Sequence, residues 1–276
     1  MDKVGGIKVP MSTEYYNYPV FTSTVSPQWI AEAGSISLDA NPAFSPLQLI
    51  AMGGFKTTTQ FSIELANDAF IEGNLPHFLN AAIARKMSVA LDTAMLLGVA
   101  GNNGIPGLVN EAGFVTRHYT GDAGTTGKAP VDTTELGVVA EATVKKNVAP
   151  SAFISNVGVQ QAFQRIPLAT YGRYWDNPSI VSKMDWVTSE NSALPYTETD
   201  PATATSVLQT TGTFGSLYCG PWNRFLVFGS RMSLESRVLT ERYIDSGELA
   251  VFAWLRCSIR YANPSTFTRT IGVIPV

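Results

Sequence analysis

The stretch from Trp29 to Leu108 constrains this chain more than any other part of it: an alternating run, then one long amphipathic helix, then a glycine series. Leu47, Leu49 and Ala51 alternate with polar or small neighbours. Phe55, Thr57, Thr59 and Phe61 continue at period two, as a strand with one covered face does. Asp39-Ala40-Asn41-Pro42 supplies turn chemistry, and Gly53-Gly54 permits a bend. Residues 29–61 are therefore expected to form a long β-hairpin. Ser62 is placed to cap a short helix, and Asn74, with Pro76 in the first turn, to open a second. In that second helix Phe78, Ala82, Val89 and Leu96 share a face, which Leu79, Ile83, Ala90 and Leu97 widen. Gly98 is expected to end it as a C′ glycine. The run is about 23 residues, or roughly 34 Å at 1.5 Å per residue, long for a globular domain and suited to a beam. A polar hairpin tied to a beam is poor equipment for catalysis and good equipment for reaching a neighbouring subunit.

The remaining elements alternate between helix and strand patterns. Residues 1–28, with Tyr15, Tyr16, Tyr18 and Phe21 among Pro10, Pro19 and Pro27, read as an extended arm that lies on a surface and is not part of a core. Residues 117–130 are a Gly/Thr loop and the best boundary. Asp132 is placed to cap the next helix, Phe153–Asn156 reads as a short buried strand, and residues 159–165 as a helix. Residues 171–180 form an aromatic loop and residues 185–190 a strand. Residues 216–220 and 224–229 are expected to pair as strands. From Ala250 the clearest strand begins: Val251, Ala253, Leu255, Cys257, Ile259 and Tyr261 on one face, Phe252, Trp254, Arg256, Ser258 and Arg260 on the other. About 12 residues at roughly 3.3 Å each must cross most of the molecule. Residues 267–273 close the chain as a shorter strand.

Chemical function finds little support. The chain has 276 residues, two histidines and two cysteines. His77 and His118 have no Cys or His at ligand spacing, so no metal site is expected. No G-x-S-x-G is present. Glu64 and Asp68 lie one turn apart on a helix and read as a solvated face, and Asp176 reads as a turn residue. Gly98, Gly101, Gly104 and Gly107 follow a helix, with no Lys-Ser/Thr after them, so they make a turn and not a phosphate cradle. Cys219 and Cys257 do not make a disulfide framework, and Cys257 reads as a small buried hydrophobe. No cofactor and no enzymatic activity are expected; a metal-independent hydrolase would rest on the aromatic loop alone. No apolar run approaches the ~18 residues of a membrane helix, and no secretory signal is seen at the N-terminus. Charged residues are 15% of the chain, against ~25% in an average soluble domain, consistent with much surface buried against other chains. The formal net charge of −3 shows no basic stripe for gripping nucleic acid.

The ordered segments resemble the major capsid protein of tailed double-stranded DNA phages, the Hong Kong 97-type shell protein. The matching pieces are VPM (9–11), WIAEAGSISLDANPAF (29–44), FSIELANDA (61–69), LLGVAGNNGIPGL (96–108), FISN (153–156), GRYWDNPSI (172–180), VTSE (187–190) and LAVFAWLRCSIRYANPSTF (249–267). The resemblance implies an α+β Hong Kong 97-type capsid fold: an N-terminal arm (1–28), an E-loop hairpin (29–61), a peripheral domain (62–128) with a spine helix (75–97), an axial domain (129–245), and return strands (246–276) through the peripheral into the axial domain. It also implies pentamers and hexamers of this chain closing into an icosahedral shell around a double-stranded DNA genome. Portal, scaffold and decoration proteins would be its partners, with weak, non-specific contact to the packaged DNA. Such a chain is made and assembled in the bacterial host cytoplasm and ends in the virion capsid. An encapsulin-like nanocompartment or a phage decoration or tail subunit are the alternatives. Trp29, Phe44, Phe55, Tyr15 and Tyr16 are the candidate inter-subunit contacts, with packing on the chain's own body as the competing role. Some family members weld the shell through an E-loop Lys and an Asn of the neighbouring peripheral domain. Here no Lys lies between Lys8 and Lys56, and the stretch before the last long strand reads Asp245-Ser246-Gly247-Glu248, so no covalent cross-link is expected. The family's N-terminal scaffold segment is not seen in this sequence.

Overall fold

The structure, a computed structural model, describes residues 2–21, 29–35, 43–51, 54–68, 75–98, 105–119, 133–166, 181–189, 197–199, 206–208 and 215–273. In chain order the strands and helices are β1 (Ile7–Pro10), β2 (Tyr15–Phe21), β3 (Phe44–Ile50), β4 (Phe55–Ser62), α1 (Ile63–Asp68), α2 (Leu75–Leu97), β5 (Val115–His118), α3 (Thr134–Val144), β6 (Ala152–Ser155), α4 (Val157–Gln164), β7 (Asp185–Thr188), β8 (Thr197–Thr199), β9 (Ser206–Leu208), β10 (Gly215–Gly220), α5 (Trp222–Phe225), β11 (Leu226–Leu239), β12 (Glu248–Tyr261) and β13 (Thr268–Val273). Strands and helices mix without βαβ repetition, the α+β organisation expected. The turn at 39–42, the Asn74 and Asp132 caps, the aromatic loop with Asp176, and Gly101 and Gly104 lie outside the described residues.

Two main sheets organise the molecule. A four-stranded sheet runs β1-β11-β12-β4 and a five-stranded sheet runs β5-β13-β10-β6-β7; β2-β3 and β8-β9 are separate two-stranded ribbons. In the first sheet, alternation along β12 buries Val251 and Ala253 under α2, where they meet Ile83 and Met87, with Phe55, Phe61, Leu79 and Leu255 closing the cluster. The buried stripe of α2 is thus Leu79–Ile83–Met87 and on to Met95 and Leu96, whereas Ala82, Val89 and Ala90 are exposed. This turns the expected face by part of a turn. The alanines carry too little apolar area to set a direction, and two methionines, adaptable gap-fillers, complete the stripe.

The second sheet is covered by α3 and α4, around Leu136, Val139, Val159, Phe163, Leu217 and Phe153. Asn156 caps α4: its Oδ1 accepts from the Val159 amide at 2.8 Å. A shared core joins both sheets to α2 through Met95, Leu96, Leu108, Ile154, Tyr218, Trp222, Ile259, Tyr261 and Phe267. Tyr261 donates from its hydroxyl to the Met95 carbonyl at 2.6 Å, and burial holds its pKa well above the ordinary range, with Glu111 and Tyr218 adding to the shift.

Several pairings differ from those expected. The hairpin is not formed by residues 29–61. β3 pairs antiparallel with β2, from Tyr15↔Ile50 to Phe21↔Phe44, while β4 leaves it and pairs with β12. Period two identifies a strand but not its partner; Phe55 and Phe61 must face α2, so β4 has to lie in the sheet beneath that helix. The arm is also part of the core. β1 runs parallel to β11, and Val4, Val9 and Met11 are buried. β10 and β11 do not pair. The turn of α5 separates them, sending β10 between β13 and β6 and β11 beside β12. Residues 226–239 therefore share a sheet with β4 and β12, and residues 115–118 share one with β13, across the boundaries drawn from sequence.

α2 ends at Leu97 as its pattern required, for a different reason. Gly98 is not among the left-handed glycines; its amide still donates to Ala94, at 2.9 Å. Glycine is needed because the returning chain passes close by: a Cβ at Gly98 would stand against the Ile105 carbonyl. The Gly107 amide donates to the Gly98 carbonyl at 2.6 Å, and the Asn110 side-chain amide donates to the same oxygen at 2.6 Å.

Both cysteines are buried. Burial pushes the Cys257 thiol up to about 11 and the Cys219 thiol further, only partly offset by Thr143. Since the thiolate is the nucleophile, the native protein should show almost no reaction with a thiol reagent at pH 8. Both thiols should react after unfolding in guanidinium; a titration that finds one fast thiol in the native state contradicts this packing.

Candidate assembly surfaces

Among the described residues no group of three His, Cys, Asp or Glu side chains is placed to hold a metal. The features that call for a partner are surfaces. The first is the β2–β3 ribbon. Its root is anchored: Ala51 donates to Glu14 at 2.9 Å, Ile50 donates to the Ser258 hydroxyl at 3.1 Å, and Leu49 is fully buried against Val9, Met11 and Val227. Beyond Leu49 the burial fades, so that most residues towards Phe21 and Phe44 are exposed. A two-stranded ribbon is marginal alone in water, and this one takes its support at one end.

Three of the five candidate contacts lie on this ribbon. Tyr15, Tyr16 and Phe44 are exposed, and Trp29 is entirely so. Phe21, read from sequence as part of an arm that lies on a surface and not among these five, stands beside Phe44, edge to face, at 5.5 Å between ring centroids. The fifth, Phe55, is elsewhere: it packs half-buried under α2, in its own subunit's core. The proline-flanked aromatic run 15–21 carried that reading, and only β3 as partner turns the run into a ladder.

The second surface is the face of the four-stranded sheet opposite α2. Register places Lys56 beside Trp254 and Thr58 beside Phe252 on one side, and Glu235 and Arg237 beside the same two rings on the other. Phe252 and Trp254 stack at 5.0 Å and 29°, the Arg237 guanidinium lies 5.2 Å over the Trp254 ring, and Trp254 donates to Met232 Sδ at 3.0 Å. With Arg256 opposite Met232, three cations and one acid surround two half-exposed rings. The sequence showed no basic stripe because these cations come one from each of three strands and only strand pairing brings them together. The Glu64–Asp68 pair sits on α1, where Ser62 Oγ accepts from the Leu65 amide at 3.1 Å, the cap expected of it.

A family model for the phage capsid family matches residues 1–269. The chain belongs to the phage capsid family. Solved structures agree in fold. The capsid of a native GTA particle, computed with C5 symmetry, is 15% identical with a TM-score of 0.67, covering 99% of this chain and 89% of that one. A structure from Mycobacterium phage Ogopogo is 12% identical with a TM-score of 0.69, covering 98% and 90%, and one from Gordonia phage Cozz is 14% identical with a TM-score of 0.66, covering 98% and 84%. Curated proteins gave no match. As a phage capsid protein the chain is a structural component of a viral shell and not an enzyme, and its Hong Kong 97-type fold accounts for a beam, a long β12 and a ribbon supported at one end. No described helix is long and apolar enough to cross a membrane.

Proposed function

We propose that this chain is the major capsid protein of a tailed phage, assembling as pentamers and hexamers into an icosahedral shell around a double-stranded DNA genome. The observation that carries the reading is a family match over nearly the whole chain joined to a ribbon whose distal half is left uncovered by its own subunit. In this reading the β2–β3 ribbon is the E-loop and α2 the spine helix. The four-stranded sheet belongs to the peripheral domain and the five-stranded sheet to the axial domain, with the boundaries moved as the strand pairing requires. Closed symmetry multiplies modest contacts over many copies. A portal, a scaffold and decoration proteins complete the assembly. Contact with DNA is weak and non-specific, because an acidic chain gains little from counterion release. Electron microscopy of the purified protein and of particles from infected cells tests this: closed shells with DNA-dense interiors are expected, whereas small rings, tubes or shells filled with protein cargo would sink the reading.

The shell holds by contacts alone. Without a lysine between Lys8 and Lys56, or an asparagine in 245–248, the welding chemistry has neither partner in its expected place. Intact particles boiled in denaturant should therefore run as a single monomer band; a ladder of covalent oligomers is the opposing result.

A further inference from the structure

We propose that the cleft between α2 and the edges of the two main sheets binds a small anion with a straight apolar body. Its chemical class is a medium-chain carboxylate, with the head at Lys3 and Lys8 and the chain along the aliphatic lining.

The cleft has a volume of about 740 Å³, within the roughly 300–1,000 Å³ of sites that take small molecules. Its walls are α2, β11 and two edge strands, β1 of the four-stranded sheet and β7 of the five-stranded sheet. Among the described residues no further strand extends either edge. Leu91 on α2, Val187 on β7 and Phe228 on β11 pack against the shared core, yet each stays only half-buried. All three line the cleft, together with the buried Met95 and Ile154. Phe228 is the one aromatic ring among its described lining residues. An aliphatic lining with a single ring suits an alkyl chain better than a flat heterocycle, which gains from stacking between rings. An added peptide strand is poorly served here. The Met11 amide donates inwards to Ser230 at 2.8 Å, so alternation turns Lys8 and Pro10 outwards on β1. Proline has no N–H, which leaves that edge with one outward amide at most.

Charge selects the head group. Lys3 and Lys8 both line the cleft, and Asp92 is the one carboxylate among its described lining residues. That leaves an excess of one positive charge in a chain whose formal net charge is −3. Both lysines are exposed, so an ammonium can meet a carboxylate without either being stripped of water, which keeps the cost of pairing low. The hydroxyls of Thr188 and Ser230, also in the lining, can donate to the same head. Cations beside half-covered aliphatic side chains match an amphiphilic anion at both of its ends: the chain leaves water and the head keeps a partner.

Calorimetric titration of the purified full chain with octanoate, decanoate and dodecanoate, each below its micelle concentration, tests the site. One saturable site is expected, tightening about fourfold with each added methylene. Decyltrimethylammonium, with the same chain and the opposite charge, should bind about fivefold more weakly than decanoate or worse. Lys3→Glu changes an exposed side chain, so the fold should be untouched; it should weaken decanoate about fivefold and leave decyltrimethylammonium no weaker. Leu91→Asn, close in volume, should weaken all three carboxylates about tenfold, with its unfolding midpoint read alongside. If that variant unfolds, Lys3→Glu alone decides the location. Affinity that ignores chain length, or a cationic head held as tightly as the anionic one, overturns the ligand class. No saturable binding below millimolar decanoate, or unchanged decanoate affinity in Lys3→Glu, overturns the site.

Discussion

Trp222→Ala should leave a chain that barely folds. Trp222 is fully buried at the point where both sheets meet α2, its ring edge to face with Phe267 at 4.9 Å. Its indole donates to the Ala152 carbonyl at 3.0 Å. Truncation removes the largest side chain of that core and strands a buried acceptor. Changes of this kind cost about 3–5 kcal/mol, against a total stability of roughly 5–15 kcal/mol for a domain. The thermal midpoint should drop by roughly 6–20 °C, with most of the expressed protein insoluble. Trp222→Phe keeps a ring and loses the hydrogen bond, so it should fall in between, at about 1–3 kcal/mol. If the alanine variant melts within a few degrees of the parent, the shared core is not what holds the two sheets together.

Gly107→Ala should be the next most damaging single change, despite adding one methyl group. A Cβ at Gly107 would stand 2.6 Å from the Leu97 amide nitrogen and closer still to that of Gly98. Those are backbone atoms at the end of a 23-residue helix and cannot rotate away. Relief requires separating the two segments, which breaks the Gly107–Gly98 hydrogen bond and the Asn110 contact to the same carbonyl. Overpacking of this kind costs about 1–3 kcal/mol before the lost bonds are added. Gly54→Ala is the matching control. The atoms nearest its Cβ belong to the Lys56 side chain, whose flexible end can move, so an effect within about 0.5 kcal/mol is expected. Equal melting points for the two variants would show that the crossing is not tight.

The contrast between these glycines shows how far the sequence could be read. The helix end fell where expected, but the crossing needs Gly107 to return upon Gly98. No local pattern carries that. Likewise α2 and β12 were legible because each satisfies its own period over many residues. The partners of β3 and β4 were not, because a period-two run is equally content beside any strand that matches its face. The candidate surface residues divide the same way. Trp29, Phe44, Tyr15 and Tyr16, read as aromatics in polar company, are exposed. Phe55 resembles them in sequence and is half-covered by α2, and the Lys56–Trp254–Arg237 rows exist only once β4, β12 and β11 lie side by side.

The order of strands in the four-stranded sheet also sets a timetable. β1 finds its neighbour in residues 227–230 and β4 finds its own in residues 248–255, so the earliest strands to be synthesised wait for nearly the last. At about 5–20 residues per second of translation that interval is on the order of ten to forty seconds, and pairing over such separations is intrinsically slow. The ribbon's root rests on Val9, Met11 and Val227, so it has nothing to stand on until the chain is all but finished. A nascent chain on the ribosome thus lacks a set ribbon, and if that ribbon is the assembly arm proposed above, premature association is deferred by topology.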